Sequence, residues 1–177
     1  MEIYKKFTPN QNEYGAYYAN YLKRVEGLSI SEALAVDGEN WEKLFWRLDE
    51  SKVHFAYAEG KWTMSQLILH CIDTERIFAI RALRLLRGEK QALTGYDQDD
   101  YVEASPASKQ SAQDLKSQWE AARSFTKSIY LHADDEHMEF IGNASGYPIS
   151  ARAIGLIIPG HNLHHLKVMR EKYGVNF

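Results

Sequence analysis

The chain has 177 residues, 45% hydrophobic and 25% charged, which is the composition of an ordinary globular protein. It is long enough to bury a core without disulfides or a structural metal, so a metal ion in it would serve function. The formal net charge of −3 argues against a nucleic-acid-binding protein that depends on a basic surface, because phosphate contacts supply most non-specific affinity. We expect one domain over residues 1–177.

The sequence predicts a cytoplasmic protein with no membrane partner. Its N-terminus lacks the apolar core of an export signal, and no stretch reaches the ~18 apolar residues of a membrane span. The single cysteine, Cys71, cannot form an internal disulfide, which agrees with a reducing compartment. We interpret Cys71 as a buried, small hydrophobic residue.

The first predicted helix runs from about Pro9 to Glu26. Thr8 and Pro9 fit an N-cap followed by proline, the tyrosines that follow recur at helical spacing, and Gly27 is typical of a helix end. After it, Ser29-Ile-Ser-Glu32 fits a capping box, but Asp37-Gly38 favours a kinked or split helix. The connector from 51 to 60 should pack its aromatic residues onto the bundle end, together with the tryptophan that follows it: Phe55, Tyr57 and Trp62.

The second predicted helix has the strongest periodicity. A capping box at Thr63 opens it and Gly88 ends it. One stripe of this helix is formed by Leu67, His70, Cys71, Thr74, Ile77, Phe78 and Arg81. Residues 89–108 are polar and turn-rich, which predicts a long connection.

The third predicted helix begins after Ser111 and continues to about His132, and a loop follows from Asp134 to Tyr147. Ser150 can cap a fourth helix that ends at Tyr173, with a kink at Pro159-Gly160 one turn before a histidine cluster. No strand-like alternation of useful length is present. Four principal helices with long connections predict an all-α four-helix bundle, whose interior can hold metal ligands.

The histidine cluster consists of His161, His164 and His165. On a helix, His161 and His165 lie about 40° apart and His161 and His164 about 60° apart, so the spacing allows either pair to share a metal ion. A third ligand must come from elsewhere, and the best donor is His70 on the apolar stripe. A lone histidine there is more often a hydrogen-bonded core residue, but three imidazoles would leave an open coordination position, which is typical of a catalytic site.

Other polar residues near His70 are weaker candidates. Cys71 lies about 100° around the helix from His70 and would point past the same ion. Asp73 and Glu75 could orient a ligand histidine through its second nitrogen, although solvation of a helix surface explains them equally well. The residue after His161 is asparagine, so no His-Glu-x-x-His motif is present.

The remaining aromatic and histidine residues have structural interpretations. We expect the tyrosines of the first helix and the tryptophans to form the core and the bundle ends rather than a substrate pocket: Tyr14, Tyr17, Tyr18, Tyr21, Trp41, Trp46, Trp62 and Trp119. The remaining histidines fall in or near connectors and should lie at the surface: His54, His132 and His137.

With these residues assembled, the chain resembles the DinB-like family, the damage-inducible group that is unrelated to the DNA polymerase of the same name. The resemblance covers nearly the whole chain in order and spacing. It is carried by Gly60–Arg76, Arg81–Leu83, Arg87–Gly88, Gly95–Val102 and Gly160–His165.

The resemblance implies an up-down-down-up four-helix bundle that is commonly a homodimer. It also implies a divalent metal ion, Zn or Ni as first choices, held by His70, His161 and His165, with His164 beside the site. Relatives include transferases and isomerases that use a low-molecular-weight thiol such as bacillithiol or mycothiol. The first hypothesis is therefore an enzyme that activates such a thiol for S-transfer to a small-molecule substrate. The alternatives are a metal-dependent hydrolase and a non-catalytic, metal-binding stress-response protein.

Overall fold

The computed structural model describes residues 8–177. Within this range the α-helices are α1 (Ala19–Leu22), α2 (Ile30–Arg47), α3 (Met64–Leu86), α4 (Gln98–Ala104), α5 (Ala112–Tyr130), α6 (Asp135–Glu139) and α7 (Ala151–Tyr173). The strands are β1 (Ile141–Ala144) and β2 (Tyr147–Ser150). The N-terminal stretch from which we predict the absence of an export signal lies mostly outside the described residues.

The four long helices form a bundle, which confirms the predicted fold class. Helix α3 packs against α5 and α7, and α2 packs against the same two helices, so α2 and α3 occupy opposite corners. The short α1 packs against α7. Among the described residues, no helix combines the length and the hydrophobicity needed to cross a membrane.

The bundle core has two apolar clusters with a buried polar layer between them. On α3, Glu75 separates Ile72 of one cluster from Phe78 of the other. All four bundle helices contribute to this polar layer, which we define as Asp37, Glu75, Arg123, Thr126 and Asn162.

Three of the predicted bundle helices are confirmed to within two residues of their predicted ends. The side chains of Thr63, Ser111 and Ser150 accept hydrogen bonds from backbone N–H groups in the first turns of α3, α5 and α7. Gly88 and Gly174 have φ values of 75° and 66°, the left-handed conformation that commonly ends a helix. Helix α7 runs unbroken through Pro159.

The predicted first helix is wrong. The segment from Pro9 to Glu26 consists of 3-10 turns at Gln11–Glu13, Ala16–Tyr18 and Lys23–Val25 around the four-residue α1. The first bundle helix is instead α2, which is continuous where we predicted a break at Asp37-Gly38. The side chain of Asp37 is buried against Arg123 of α5, so it is held away from the backbone groups with which an aspartate otherwise competes.

The predicted loop from Asp134 to Tyr147 is also partly wrong, because it contains α6, β1 and the first residue of β2. Strands β1 and β2 pair antiparallel, and Ser145 and Gly146 between them have φ values of 55° and 84°, as a type I′ turn requires. The connection after α3 lies along this hairpin: Leu93 N–H donates to the Asn143 carbonyl at 2.9 Å, and Ser145 N–H donates to the Leu93 carbonyl at 2.9 Å. This pairing brings the residues after Leu93 next to the hairpin turn.

The aromatic connector packs as predicted. The rings of Phe55 and Tyr57 lie 6.4 and 5.0 Å from the ring of Tyr173, whose hydroxyl donates to the Trp62 carbonyl at 2.7 Å. The expectation for the tryptophans holds only in part, because Trp46 is 84% exposed.

Candidate metal centre

Three histidines from two bundle helices converge at one point. The Nε2 atom of His161 lies 3.2 Å from Nε2 of His70 and 3.1 Å from Nε2 of His165. One ring nitrogen from each of the three histidines lies within 4.8 Å of the others. The structure thus brings together the three residues that we predicted as metal ligands.

The structure distinguishes the two pairings that helical spacing leaves open. His164 is not among the converging histidines, and its Nδ1 lies 3.2 Å from Nη2 of Arg24. His165 faces His161 instead, with ring centroids 4.5 Å apart.

The donor atoms fit a divalent ion. Zn–N bonds of about 2.05 Å with tetrahedral angles place two ligand nitrogens about 3.3 Å apart, close to the contacts of His161. A neutral imidazole has one N–H and one lone pair, so Nε2 of His161 cannot make two good hydrogen bonds to two other imidazole nitrogens. A cation at the centre would satisfy all three lone pairs.

Burial keeps these lone pairs available. It lowers the pKa of His70 to about 4 and, together with the nearby His70, lowers the pKa of His161 to about 3. The pKa of His165 is also lowered, by burial and then by the other two histidines. The three imidazoles are therefore neutral at pH 7, which is the form that binds a metal.

Gly160 allows the N-terminal segment to cover the histidines. A Cβ atom at this position would lie 2.3 Å from the backbone carbonyl oxygen of Tyr21, so only glycine permits this approach. The ring of Tyr21 consequently lies 5.3 Å from the ring of His161. On another side, the ring of Trp62 lies 5.0 Å from the ring of His70.

The suggestion that Asp73 or Glu75 orients a ligand histidine is wrong. Asp73 accepts a hydrogen bond from Arg76 at 3.0 Å. Glu75 accepts from Arg123 and from other members of the polar layer. The Nδ1 atom of His165 is buried without a hydrogen-bond partner among the described residues.

The polar layer lies directly beside the histidines, because Asn162 follows His161. The Asn162 amide donates to Glu75 and to Asp37, each at 3.1 Å. Burial opposes ionisation of Glu75, but the guanidinium of Arg123 and several hydrogen bonds hold its pKa below the ordinary value. Burial raises the pKa of Asp37 to about 6, although Arg123 opposes the shift.

Cys71 is not among the residues whose donor atoms converge at the metal centre. Its side chain is buried in the apolar cluster that contains Leu67 and Ile72. Burial, together with the carboxylates of Asp37 and Glu75, raises the pKa of its thiol. A buried thiol with a raised pKa has little thiolate character at pH 7, which agrees with its interpretation as a small hydrophobic residue.

A cavity of about 260 Å³ leads to His70 and His161. Its walls include Tyr17, Tyr18 and Tyr21. Tyr18 and Tyr21 also pack against the apolar core, as predicted, whereas Tyr17 is 70% exposed. The sequence argument did not identify Arg81 as a site residue, although this residue also lines the cavity. The available signal was a charged residue on the otherwise apolar stripe of α3.

The architecture matches solved structures. YfiT from Bacillus subtilis, described as a probable metal-dependent hydrolase with an unusual four-helix bundle topology, matches with a TM-score of 0.72 at 14% identity, over 97% of this chain and 95% of its own. A mycothiol-dependent maleylpyruvate isomerase matches with a TM-score of 0.64 at 14% identity, over 84% of this chain and 62% of its own. The chain thus spans less than two thirds of that isomerase. At such identities the likeness establishes the fold alone.

No curated protein matches the chain in sequence. The family model of the DinB superfamily, however, matches residues 33–169, a range that includes all three converging histidines and the polar layer. On this evidence, the chain belongs to the DinB superfamily.

Proposed function

We propose that this protein is a metal-dependent enzyme in which His70, His161 and His165 hold a divalent ion, Zn or Ni, and activate a low-molecular-weight thiol for S-transfer. The observation that carries the proposal is the convergence of three neutral imidazole nitrogens at a cavity of small-molecule size. A divalent ion there would supply a Lewis acid that binds the thiol sulfur and lowers its pKa. Three protein ligands leave a coordination position open for this purpose.

The cavity walls suit a nucleophile that needs little help from a protein base. Burial raises the pKa of Tyr18 and Tyr96, so both stay protonated and can donate hydrogen bonds but not accept a proton. The two carboxylates nearest to His70 in sequence are committed elsewhere, Asp73 to Arg76 and Glu75 to Arg123. A free thiol has a pKa of about 8.5 against about 16 for water, so a metal ion has to lower the pKa of a thiol much less than that of water to give a nucleophile at pH 7.

The related structures support both enzyme classes. One of the structurally similar proteins depends on mycothiol, which supports the hypothesis of thiol S-transfer. Hydrolysis is the second candidate, because YfiT is described as a probable metal-dependent hydrolase and matches over 97% of this chain. A homodimer in the cytoplasm belongs to the same proposal, and light scattering of the purified protein tests its assembly.

Metal analysis of protein purified without an affinity tag tests the common premise. We expect about one equivalent of metal in the wild type and much less in His161→Ala and His165→Ala, because a site with two ligands is weak. His164→Ala is the matched control, since His164 faces Arg24, and it should retain the metal. Full occupancy in both ligand variants would refute the site.

A second assay separates the reactions. Metal-loaded protein is incubated with monochlorobimane and bacillithiol, glutathione or cysteine, and in parallel with ester and amide substrates. Metal-dependent conjugation supports S-transfer, whereas metal-dependent hydrolysis alone supports the second candidate. If neither reaction depends on metal, the protein is better explained as a non-catalytic metal-binding protein.

A further inference from the structure

Arg81 is a buried cation that lines the cavity, and no carboxylate among the described residues pairs with it. Arg81 of α3 is only 4% exposed, yet it forms no ion pair with any carboxylate in residues 8–177. Arg123, also 4% exposed, pairs with both Asp37 and Glu75. Because a buried charge is costly unless it is paired, the isolation of Arg81 needs an explanation.

Part of the guanidinium is held by the protein. Its Nη2 donates to the Thr94 carbonyl at 2.8 Å and to the Ser145 hydroxyl at 3.1 Å, which ties the connection after α3 to the hairpin turn. The rings of Phe78 and Tyr96 lie 5.1 and 5.9 Å from its central carbon. Within the described residues, Nε and Nη1 make no hydrogen bond, so donors remain for a ligand.

Arg81 lines the same cavity as His70 and His161. Eleven residues separate His70 from Arg81, which corresponds to about three turns and a rise of about 16 Å, so both lie on one face of α3. Side chains on a helix tilt towards its N-terminus, which brings the guanidinium back towards His70. Thr74 and Phe78, on the same face, line the cavity between them.

We propose that the small molecule bound in this cavity carries a carboxylate that pairs with Arg81, while its reactive end lies at the histidines. The statement about the reactive end rests on the proposed function, whereas the carboxylate rests on Arg81 alone. A cavity of about 260 Å³ suits a short organic acid.

A carboxylate fits better than a phosphate. The guanidinium offers one positive charge, which one carboxylate neutralises, and its free Nη1 or Nε group can donate to a carboxylate oxygen. A phosphate dianion would carry a second negative charge that the single charge of Arg81 does not neutralise. Asp97 also lines the cavity, but its carboxylate accepts the N–H groups of Asp99 and Asp100 at the start of α4.

The competing explanation is that Arg81 is only a structural tie between Thr94 and Ser145. The two explanations differ in what they predict for a matched pair of ligands. If Arg81 is only structural, its replacement should change the affinities for an acid and for its neutral amide equally. If Arg81 binds the ligand, its replacement should weaken the binding of the acid alone. The comparison of hexanoate with hexanamide therefore separates them without any thiol or turnover.

Binding of both ligands is measured by calorimetry at pH 7 on the protein as purified. We expect hexanoate to bind at least about tenfold more tightly than hexanamide, because hydrogen bonds to a charged group in a buried site are strong. Arg81→Gln, which keeps a donor for Thr94 but removes the charge, should abolish this preference. Arg84→Met, which removes an exposed charge from the same helix, is the control and should retain the preference.

Equal affinities in the wild type would refute the proposal even if Arg81→Gln failed to fold. A preference that survives Arg81→Gln would also refute it, since the carboxylate would then bind elsewhere, for instance at the histidines. Because neither ligand contains a thiol, a failure of S-transfer would leave a positive result intact. Conversely, successful S-transfer with no preference for the acid would overturn only the role of Arg81.

Discussion

The buried arginine of the polar layer gives the sharpest test of what holds the bundle together. Arg123 donates from Nε and Nη2 to Glu75 at 2.8 and 3.0 Å, from Nη2 also to Asp37, and from Nη1 to the Leu34 carbonyl at 3.0 Å. The substitution Arg123→Met keeps much of the volume but removes all of these bonds. It leaves the carboxylates of Glu75 and Asp37 buried without a cation.

The expected loss in the free energy of unfolding follows from the two carboxylates that are left buried without a cation. Breaking a buried ion pair by removing one partner costs about 3–5 kcal/mol, a large share of the roughly 5–15 kcal/mol that stabilises a typical domain. For a chain of this size, such a loss lowers the melting temperature by roughly 6–20 °C. The triple variant Arg123→Met, Glu75→Gln, Asp37→Asn should recover part of the loss, because no buried charge remains unpaired.

Urea denaturation at pH 7 measures these free energies of unfolding. Arg84→Met is the matched control, since Arg84 pairs with Glu89 at the surface and should contribute less than about 1 kcal/mol. If Arg123→Met lost no more stability than this control, the polar layer would not stabilise the bundle as argued. The same conclusion would follow if the triple variant were no more stable than the single one.

Two further predictions concern the backbone and the pH dependence. Gly160→Ala should lose about 1–3 kcal/mol, because its Cβ would lie 2.3 Å from the Tyr21 carbonyl, whereas Gly38→Ala, where the nearest atom is 3.7 Å away, should gain about 0.5–1 kcal/mol in mid-helix. Equal urea midpoints for these two variants would contradict this explanation. Because burial raises the pKa of Asp37 from 3.8 to about 6, its contribution to stability is fully present below about pH 4 and is lost as pH rises through 6. The free energies of unfolding of the wild type and of Asp37→Asn are compared between pH 4 and 7. The wild type should lose stability relative to the variant as the pH rises, and a constant difference would refute the raised pKa.

Local sequence signals predict three of the bundle helices because these helices have strong caps. Thr63, Ser111 and Ser150 each precede a periodic apolar stripe, and the cap hydrogen bonds form within a few residues of chain. Helix α2 was not predicted as one continuous helix because its continuity at Asp37 depends on Arg123, 86 residues away. Such a tertiary contact overrides local propensity, and the sequence alone does not reveal it.

The hairpin and the first segment show two other limits. Strands of four residues are too short to display alternation, so only the Ser145-Gly146 turn signalled them. The regular spacing of the early tyrosines correctly indicates a shared face, but it does not distinguish a continuous helix from successive 3-10 turns.

For the site, the sequence identified the residues but not their surroundings. His70 could be chosen because it lies on an apolar stripe, and the His161 to His165 spacing places two rings on one face. The cavity could not be predicted, because it is formed where the N-terminal turns and the connection after α3 meet. The orientation of His164 likewise depends on Arg24, which is 140 residues away in the chain.

Because its single thiol is buried, chemical modification of this thiol can report the unfolding of the protein. Cys71 is inaccessible in the folded chain and its pKa is raised, so a thiol-specific reagent should react with it only when the bundle opens. In assays that follow the consumption of a small-molecule thiol, the native protein therefore contributes no background. The rate at which Cys71 becomes modified in urea therefore reports the opening of the bundle without an engineered cysteine.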